Sequence, residues 1–297
     1  MAMNRASFAK MLEPGLNTLF GLEYDKYPEE YLAVFESNTS SKAFEEDVLL
    51  SGFGSAPTKT EGAAISYDDA GQQWTARYQH ETIALAFAVT EEAEEDGQYG
   101  SIASRYTKAL ARSMAQTKQL KAAAILDGAF TTSTGGDGVA LCATNHPTIA
   151  GTFANELATA ADLSETSLEQ CLIDIAKMTD ERGLKIAAKG MKLIIHPAQQ
   201  FAAERIMKSA LRVGTADNDL NAMKSMGMIP QGFVVNNFLA DSESFFIKTD
   251  VPNGMKHMVR APIKTAMEGD FETGNVRYKA RERYVFGFSD PRGIFGS

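Results

Sequence analysis

The alternation of apolar and polar positions predicts two long strands in different parts of the chain. In residues 82–90, Ile83, Leu85 and Phe87 fall on one face and alanines fall on the other. Large side chains opposite alanines predict burial on both faces, with another segment packed close over the alanines. Residues 276–288 have the same period, with an apolar face opposite a row of bases. Those bases are Arg277, Lys279, Arg281 and Arg283.

Residues 101–126 follow the helical period and predict one long helix, roughly 39 Å at 1.5 Å per residue. Its predicted apolar stripe consists of Ile102, Tyr106, Ala109, Leu110, Ser113, Thr117, Leu120 and Ala124. The segment has no acid and five bases, which are Arg105, Lys108, Arg112, Lys118 and Lys121. This helix and the strand at 276–288 are the two most basic elements, which raises the hypothesis that they share a surface.

Residues 42–98 have the opposite character, with twelve acids against three bases. The middle of this segment is polar and has too little apolar surface to order itself alone. Glycines, Pro57 and the turn signal at 68–71 predict an extended hairpin over residues 48–81. A thin hairpin of this kind is typical of a subunit that completes itself on its neighbours. The candidate contact residues of this loop are Lys59, Glu61, Asp68, Asp69 and Trp74.

The pattern also predicts an N-terminal arm and a second folded module. Residues 1–41 predict an arm without a core, since Pro14, Gly15 and Gly21 interrupt its apolar clusters and only 28–35 suits a short helix. Helix and strand patterns alternate from about 140 to 265 and predict a compact α/β or α+β module. Its predicted elements are a helix capped by Asp162 or Ser164, a buried strand at 192–195, a helix after Pro197 with Phe201 inward, and short strands at 233–239, 244–249 and 255–260.

Composition narrows the function classes. The chain has 297 residues and a net charge of −9, which disfavours a free nucleic-acid-binding module unless bases are segregated onto one face. No apolar run approaches the ~20 residues of a membrane span, and the N-terminus lacks the apolar core of a signal peptide. Two cysteines are too few for a disulfide framework. We therefore expect synthesis in a reducing cytoplasm and no contact with a membrane.

The search for catalytic chemistry is mostly negative. The sequence has no P-loop, no HExxH, no GxSxG and no complete dinucleotide-binding motif. Cys142 and His146 lack the second ligand pair that a structural zinc site needs, and a thiol–histidine enzyme site is a minor alternative. The glycine-rich segment 135–138 fits a surface loop better than an anion nest. We predict no enzyme activity, no catalytic residue, no cofactor and no metal.

The basic rows have two interpretations that the residues leave open. A face with many bases and few acids suits contact with polyphosphate, which releases counterions. The same bases could instead pair with acids of the 42–98 segment from the same or a neighbouring chain and set the register of assembly. Lys59 fits an exposed, solubilising lysine better than a partner in an isopeptide cross-link to a neighbour.

The chain resembles the major capsid proteins of tailed bacteriophages, the Hong Kong 97 type, and most closely the Mu-like major head subunits. The resemblance covers essentially the whole chain. The segments that carry it are SSKAFEEDVLLSGFGSAPTKTEGAAISYDD (40–69), YTKALARSMAQTKQLKAAAILDGAF (106–130), GDGVALCATNHP (136–147), LRVGTADNDLNAMKSMGMIPQGFVVN (211–236), FFIKTDVPNGMKH (245–257) and ERYVFGFSDPRGIFG (282–296).

The resemblance implies an α+β capsid fold with named parts. These are an N-terminal arm (1–41), an extended β-hairpin loop with strands of a peripheral domain (42–98), the spine helix of that domain (99–139), an axial α/β domain (140–265) and returning peripheral strands (266–297). The arm is short and has no heptads, so a separate scaffolding protein is implied.

The function that the resemblance implies is that of a structural virion protein. Many copies would form the pentamers and hexamers of an icosahedral head around double-stranded DNA, with a portal and assembly in the host bacterial cytoplasm. Whether a decoration protein caps the shell stays open. The alternative within the same fold is an encapsulin-like cellular compartment that holds protein cargo; a soluble enzyme using Cys142 and His146 is the alternative from another class.

Overall fold

The computed structural model describes residues 5–90, 99–212, 219–269 and 275–297. The described helices are α1 (Arg5–Tyr24), α2 (Tyr99–Asp127), α3 (Glu165–Lys177), α4 (Gln200–Lys208) and α5 (Ala222–Met226). The described strands are β1 (Glu36–Thr39), β2 (Phe44–Leu50), β3 (Gln72–Gln79), β4 (Glu81–Val89), β5 (His146–Thr148), β6 (Gly151–Phe153), β7 (Gly190–Ile195), β8 (Phe233–Val235), β9 (Phe245–Thr249), β10 (Met255–Gly269), β11 (Val276–Phe288) and β12 (Ile294–Gly296). Short 3₁₀ helices cover Glu30–Ala33, Pro197–Gln199 and Pro291–Gly293.

The long helix predicted at 101–126 is confirmed as α2, but its buried face differs from the predicted stripe. Tyr106, Ala109, Leu120 and Ala124 are exposed. The buried face instead consists mainly of small residues and includes Ala103, Thr107, Leu110, Ala111, Met114, Ala115, Ala122, Ala123 and Leu126. Small side chains let α2 approach the sheet and α1 closely, so its core face carries a weak hydrophobic signal.

The N-terminal segment contains a twenty-residue helix that the sequence interpretation missed. Pro14 lies inside α1, and the Thr18 hydroxyl bonds the Pro14 carbonyl at 2.8 Å. Leu16 and Phe20, one turn apart, are buried against Met114 of α2 and Tyr278 of β11. Tertiary packing therefore outweighs the local cost of proline and glycine. As predicted, the segment packs on another part of the chain.

The first sheet has the strand order β1-β10-β11-β4. Its β10 and β11 strands are antiparallel and pair from Met255–Phe288 to Gly269–Val276. The short strand predicted at 255–260 is therefore the beginning of a fifteen-residue strand that belongs with β11 rather than with the second module. The register shifts between Val259 and Lys264, where Pro262 lacks an N–H, which explains why the sequence pattern ended early.

The second sheet has the order β12-β9-β7-β8 and packs against α3 and α4. Ser164 caps α3, as one of the two predicted capping residues. Phe201 is 70% exposed, contrary to the predicted inward position, because α4 buries Ala203 instead. A common core joins the two sheets, since Ile194 and Phe246 of the second cluster with Tyr284 of the first. No described helix is long and apolar enough to cross a membrane.

Candidate assembly surfaces

The β2–β3 hairpin is anchored to the first sheet by one buried polar cluster. Asp47 Oδ2 accepts bonds from Lys256 Nζ at 2.5 Å and from Ser289 Oγ at 2.6 Å. The Tyr78 hydroxyl is in turn hydrogen bonded to Ser289. Burial raises the pKa of Asp47, but the bonds from Lys256 and Ser289 outweigh it and hold the pKa below its ordinary value. The cluster fixes the strands from which residues 51–71 extend.

Residues 51–71 form the extended loop predicted from the sequence, with no helix or strand between β2 and β3. Its base is closed where Ser51 N donates to Gly71 O at 2.8 Å and Gly71 N donates to Ser51 Oγ at 2.9 Å. Beyond this closure Phe53, Ile65 and Tyr67 are exposed, Tyr67 by 96%. Three large apolar side chains on a thin exposed loop are typical of a surface that another molecule covers.

The structure separates the five candidate loop residues. Lys59 and Glu61 are exposed on the loop. Asp68 accepts a 2.7 Å bond from Gly54 N, and Asp69 donates its N–H to Asp68. Trp74 lies in β3 and packs beside Gly136 of its own chain, so it belongs to the core side of the hairpin rather than to the free loop.

Several acids of the hairpin region already have basic partners in their own chain. These pairs are Glu45 with Lys42, Glu46 with Arg77, Asp47 with Lys256, Asp68 with Arg182 and Glu81 with Lys121. The pair of Glu81 with Lys121 joins the 42–98 segment to the basic row of α2, as the pairing interpretation expects, whereas the other four acids pair with bases outside the two rows. Residues 91–96, the most acidic run of the sequence, lie outside the described residues.

The row of bases on β11 lies beside a row of alanines on the neighbouring strand β4. Arg277 is paired with Ala88, Lys279 with Ala86 and Arg281 with Ala84 of the neighbouring strand β4. Ala84, Ala86 and Ala88 are exposed, so nothing covers them within the described chain, contrary to the predicted burial on both faces. Lys264 of β10 extends the row opposite Arg281. A surface cavity of about 420 Å³ opens here, lined by Ala86, Ala266, Met267, Glu268, Gly269, Arg277 and Lys279.

The bases of α2 form a separate group. Arg105, Lys108 and Arg112 are exposed, Lys121 pairs with Glu81, and Lys118 is largely buried. The alternate residues Tyr278 and Ala280 of β11 face the α2 cluster, so the basic side chains of β11 face away from the helix. The structure therefore does not bring the two basic rows onto one surface.

Lys118 instead takes part in a buried polar group beneath the end of α1. Its Nζ lies 3.7 Å from Glu282 Oε2 and within 5.5 Å of the ring centres of Tyr31 and Tyr284. Burial raises the pKa of Glu282 to about 6, although Lys118 acts in the opposite direction. Nearby, His257 stacks on Phe286 at 4.4 Å, and burial lowers the pKa of His257 to about 3. The charge of this interior beneath the first sheet therefore depends on pH.

The Cys142 and His146 pair lacks the geometry of a nucleophilic site. His146 Nδ1 lies 2.6 Å from Asp137 Oδ2, and Nε2 lies 3.0 Å from Asn155 Oδ1. Both ring nitrogens therefore face oxygen acceptors instead of the thiol. Burial raises the pKa of Cys142 well above its ordinary value, so the thiol stays neutral and weakly nucleophilic. The described residues contain no cluster of three or more acids, histidines or cysteines suited to a metal ion.

The glycine-rich loop at 135–138 is packed against its own chain. A Cβ on Gly136 would lie 2.8 Å from Thr75 O, and one on Gly135 would lie 2.8 Å from Phe288. The glycines therefore allow close packing of this loop on β3 and β11.

Sequence comparison identifies one matching family. The phage capsid protein family matches residues 73–296. No curated protein matches the sequence. The match confirms the predicted phage capsid family, while the narrower Mu-like assignment stays a prediction.

Solved structures show the same fold at low sequence identity. The capsid of an empty GTA particle has 14% identity and a TM-score of 0.58, covering 90% of this chain and 88% of that chain. The capsid of Myoviridae phage XM1 has 9% identity and a TM-score of 0.54, covering 91% of each chain. A virus-like particle from Pyrococcus furiosus has 13% identity and a TM-score of 0.51, covering 95% of this chain and 97% of that chain. These similarities confirm the predicted α+β fold of the Hong Kong 97 type.

Proposed function

Because the chain belongs to the phage capsid protein family, we propose that it is the major capsid protein of a tailed phage or prophage. Many copies tile an icosahedral shell, and the shell encloses double-stranded DNA. The observation that carries the proposal is the family match over residues 73–296, which includes α2, the whole second sheet and the first sheet except β1. The protein acts by assembly, through surfaces that contact other copies of the chain.

The extended loop is the first of these surfaces. Phe53, Ile65 and Tyr67 are exposed in the single chain, and fully burying such side chains stabilises by about 1.5–3 kcal/mol each before ordering costs. A neighbouring subunit that covers the loop recovers this free energy. We therefore expect the stability of the loop to depend on assembly.

The two basic rows have different roles in this proposal. They lie on opposite sides of the layer formed by α2 and the first sheet, and a shell has only one inner face. At most one row therefore faces the DNA directly, and the other faces neighbouring subunits or the outside. Replacing Arg105 and Arg112 by alanine, or Lys279 and Arg281 by alanine, distinguishes the two roles. Substitution of the row that contacts DNA should change how the stability of filled heads depends on salt concentration. Each lost phosphate contact reduces the salt dependence of DNA binding.

The remaining partners follow from the same proposal. Pentamers and hexamers of this chain form the shell, and a separate scaffolding protein sets its size. A portal occupies one vertex and admits DNA, and assembly takes place in the host bacterial cytoplasm. The division into arm, extended loop, spine helix, axial domain and returning strands also stays a proposal.

Deletion of residues 55–72 tests the assembly mechanism. We expect the shortened subunit to fold, because the Tyr78–Ser289 bond and every β2–β3 pair except Leu50 with Gln72 lie outside the deletion. It should form no closed shells under conditions where the full chain does. Normal shells from the deletion variant would contradict the role given to the loop.

The second candidate function is a compartment shell that holds protein instead of DNA. The similarity to a virus-like particle from Pyrococcus furiosus over nearly the whole of both chains favours keeping it. Particles purified from the native source and treated with nuclease distinguish the two. Protected double-stranded DNA supports the capsid, and protein-filled particles without DNA support the compartment.

A further inference from the structure

The extended loop is held at its base by an arginine from a distant part of the chain. Arg182 Nε donates to Gly52 O at 3.3 Å, and its Nη2 donates to Asp69 O. The same nitrogen lies 3.6 Å from Asp68 Oδ1. Gly52 is on the outgoing arm of the loop and Asp69 on the returning arm. One guanidinium thus bridges both arms, which its planar fork of donors suits.

The turn that presents Arg182 is itself preorganised. Asp180 Oδ1 accepts bonds from Arg182 N at 2.9 Å and from Leu184 N at 2.8 Å. Gly183 adopts φ +81°, a left-handed conformation that favours glycine. The backbone around Arg182 is therefore fixed before the side chain meets the loop.

A buried ion pair also fixes the turn at residues 179–185 that presents Arg182. Arg292 is 3% exposed, and its Nη2 lies 2.7 Å from Glu181 Oε1, next to Arg182 in the chain. Arg292 Nε also donates to Thr179 O at 2.8 Å. The 3₁₀ helix at Pro291–Gly293, which contains Arg292, is thereby connected through the 179–185 turn to the base of the loop. An incidental surface contact would not need such support.

We propose that Arg182 is the positioning residue of the extended loop: it clamps both arms and aims the loop at the neighbouring subunit. The inference rests on the proposed function, because the loop direction matters only if the loop contacts another copy. Its chemistry does not depend on DNA, a scaffold or a metal. The residue acts through the loop and makes the loop ready for assembly.

The test compares Arg182→Ala with Arg212→Ala in the full chain. Arg212 is a suitable control, since it pairs with Glu165 at 3.1 Å and has no described contact with the loop. The first measurement is hydrogen exchange of unassembled subunits at the amides of Ser51, Gly54 and Gly71. Loss of the clamp should speed exchange at these amides about fivefold, the change expected for a lost contact of roughly 1 kcal/mol. Arg212→Ala should leave them unchanged.

The second measurement is the subunit concentration at which shells first form. Arg182→Ala should raise it severalfold, while Arg212→Ala leaves it at the wild-type value. Arg182→Lys keeps the positive charge but not the planar fork of donors, so its assembly concentration should lie between those of wild type and Arg182→Ala. The lysine variant also replaces the alanine variant in the test if Arg182→Ala does not fold. Unchanged exchange at the loop base overturns the clamp. Faster exchange with a wild-type assembly concentration overturns the positioning role. If the wild-type chain forms only a discrete small oligomer, both alone and with its neighbouring genes, the proposed function fails, while the exchange result still decides the clamp.

Discussion

His257 should make the free energy of unfolding of the unassembled subunit fall as the pH falls. The ring is 1% exposed and stacks on Phe286, and Tyr31 and Tyr284 contact it edge-on. Its Nδ1 lies 3.0 Å from Ser37 Oγ, whereas Nε2 has no hydrogen-bond partner among the described residues. Burial, with the nearby Lys118 charge, lowers the pKa from 6.5 to about 3. The folded chain therefore keeps this imidazole neutral.

The size of the effect follows from proton linkage. Between pH 6.5 and pH 3 the unfolded chain binds one proton that the folded chain does not, so stability is lost as the pH falls. The slope is about 1.4 kcal/mol per pH unit, which gives roughly 2 kcal/mol between pH 6.5 and pH 5. Glu282 acts in the opposite direction below pH 6, because its pKa is raised by burial and the folded chain binds the extra proton.

The assay compares wild type with His257→Phe, which keeps an aromatic ring against Phe286 but cannot titrate. Urea unfolding of unassembled subunits at pH 7.5 and pH 5 gives the free energy of each protein. Glu282 is present in both, so its contribution largely cancels in the difference. We expect the variant to gain about 2 kcal/mol relative to wild type on going to pH 5. Parallel pH profiles for the two proteins would refute a buried neutral histidine; His257→Gln provides a second non-titrating variant.

Three further substitutions test the fold and the surfaces. Asp47→Ala removes the acceptor for Lys256 and Ser289 and should lower the free energy of unfolding by about 1–3 kcal/mol in denaturant titration; no change would mean that the hairpin is not anchored there. Gly136→Val would place a Cβ against Thr75 O and should cost about 1–3 kcal/mol by thermal unfolding, whereas an unchanged midpoint would show that the loop can move away. Ala86→Phe, in the row of exposed alanines on β4, should leave the subunit's free energy of unfolding within about 0.5 kcal/mol of wild type. It should nevertheless hinder shell formation, measured by light scattering. Shells at the normal rate would remove this face from the interfaces.

The sequence predicted elements well where the apolar period was strong and local. The helix expected at 101–126 is found at Tyr99–Asp127, and the alternating segment at 276–288 is strand β11. The predicted buried face of α2 was wrong because alanines and Thr107 carry little hydrophobic signal, while Tyr106 and Leu120 lie outside the core. Burial there is decided by what the helix packs against, which is a tertiary property.

The other differences also come from contacts between distant segments. α1 persists through Pro14 because Leu16 and Phe20 pack on α2, and β10 continues past Pro262 because β11 pairs with it. Arg182 had no signal that linked it to the loop, although Asp180 and Gly183 marked its turn. The loop itself could be predicted, because its composition alone excludes a core.

Electron microscopy of the purified chain, expressed alone and with its neighbouring genes, decides whether the protein is a shell subunit. We expect closed polyhedral shells, or tubes and partial shells when the chain is alone. A discrete small oligomer under every condition would contradict it.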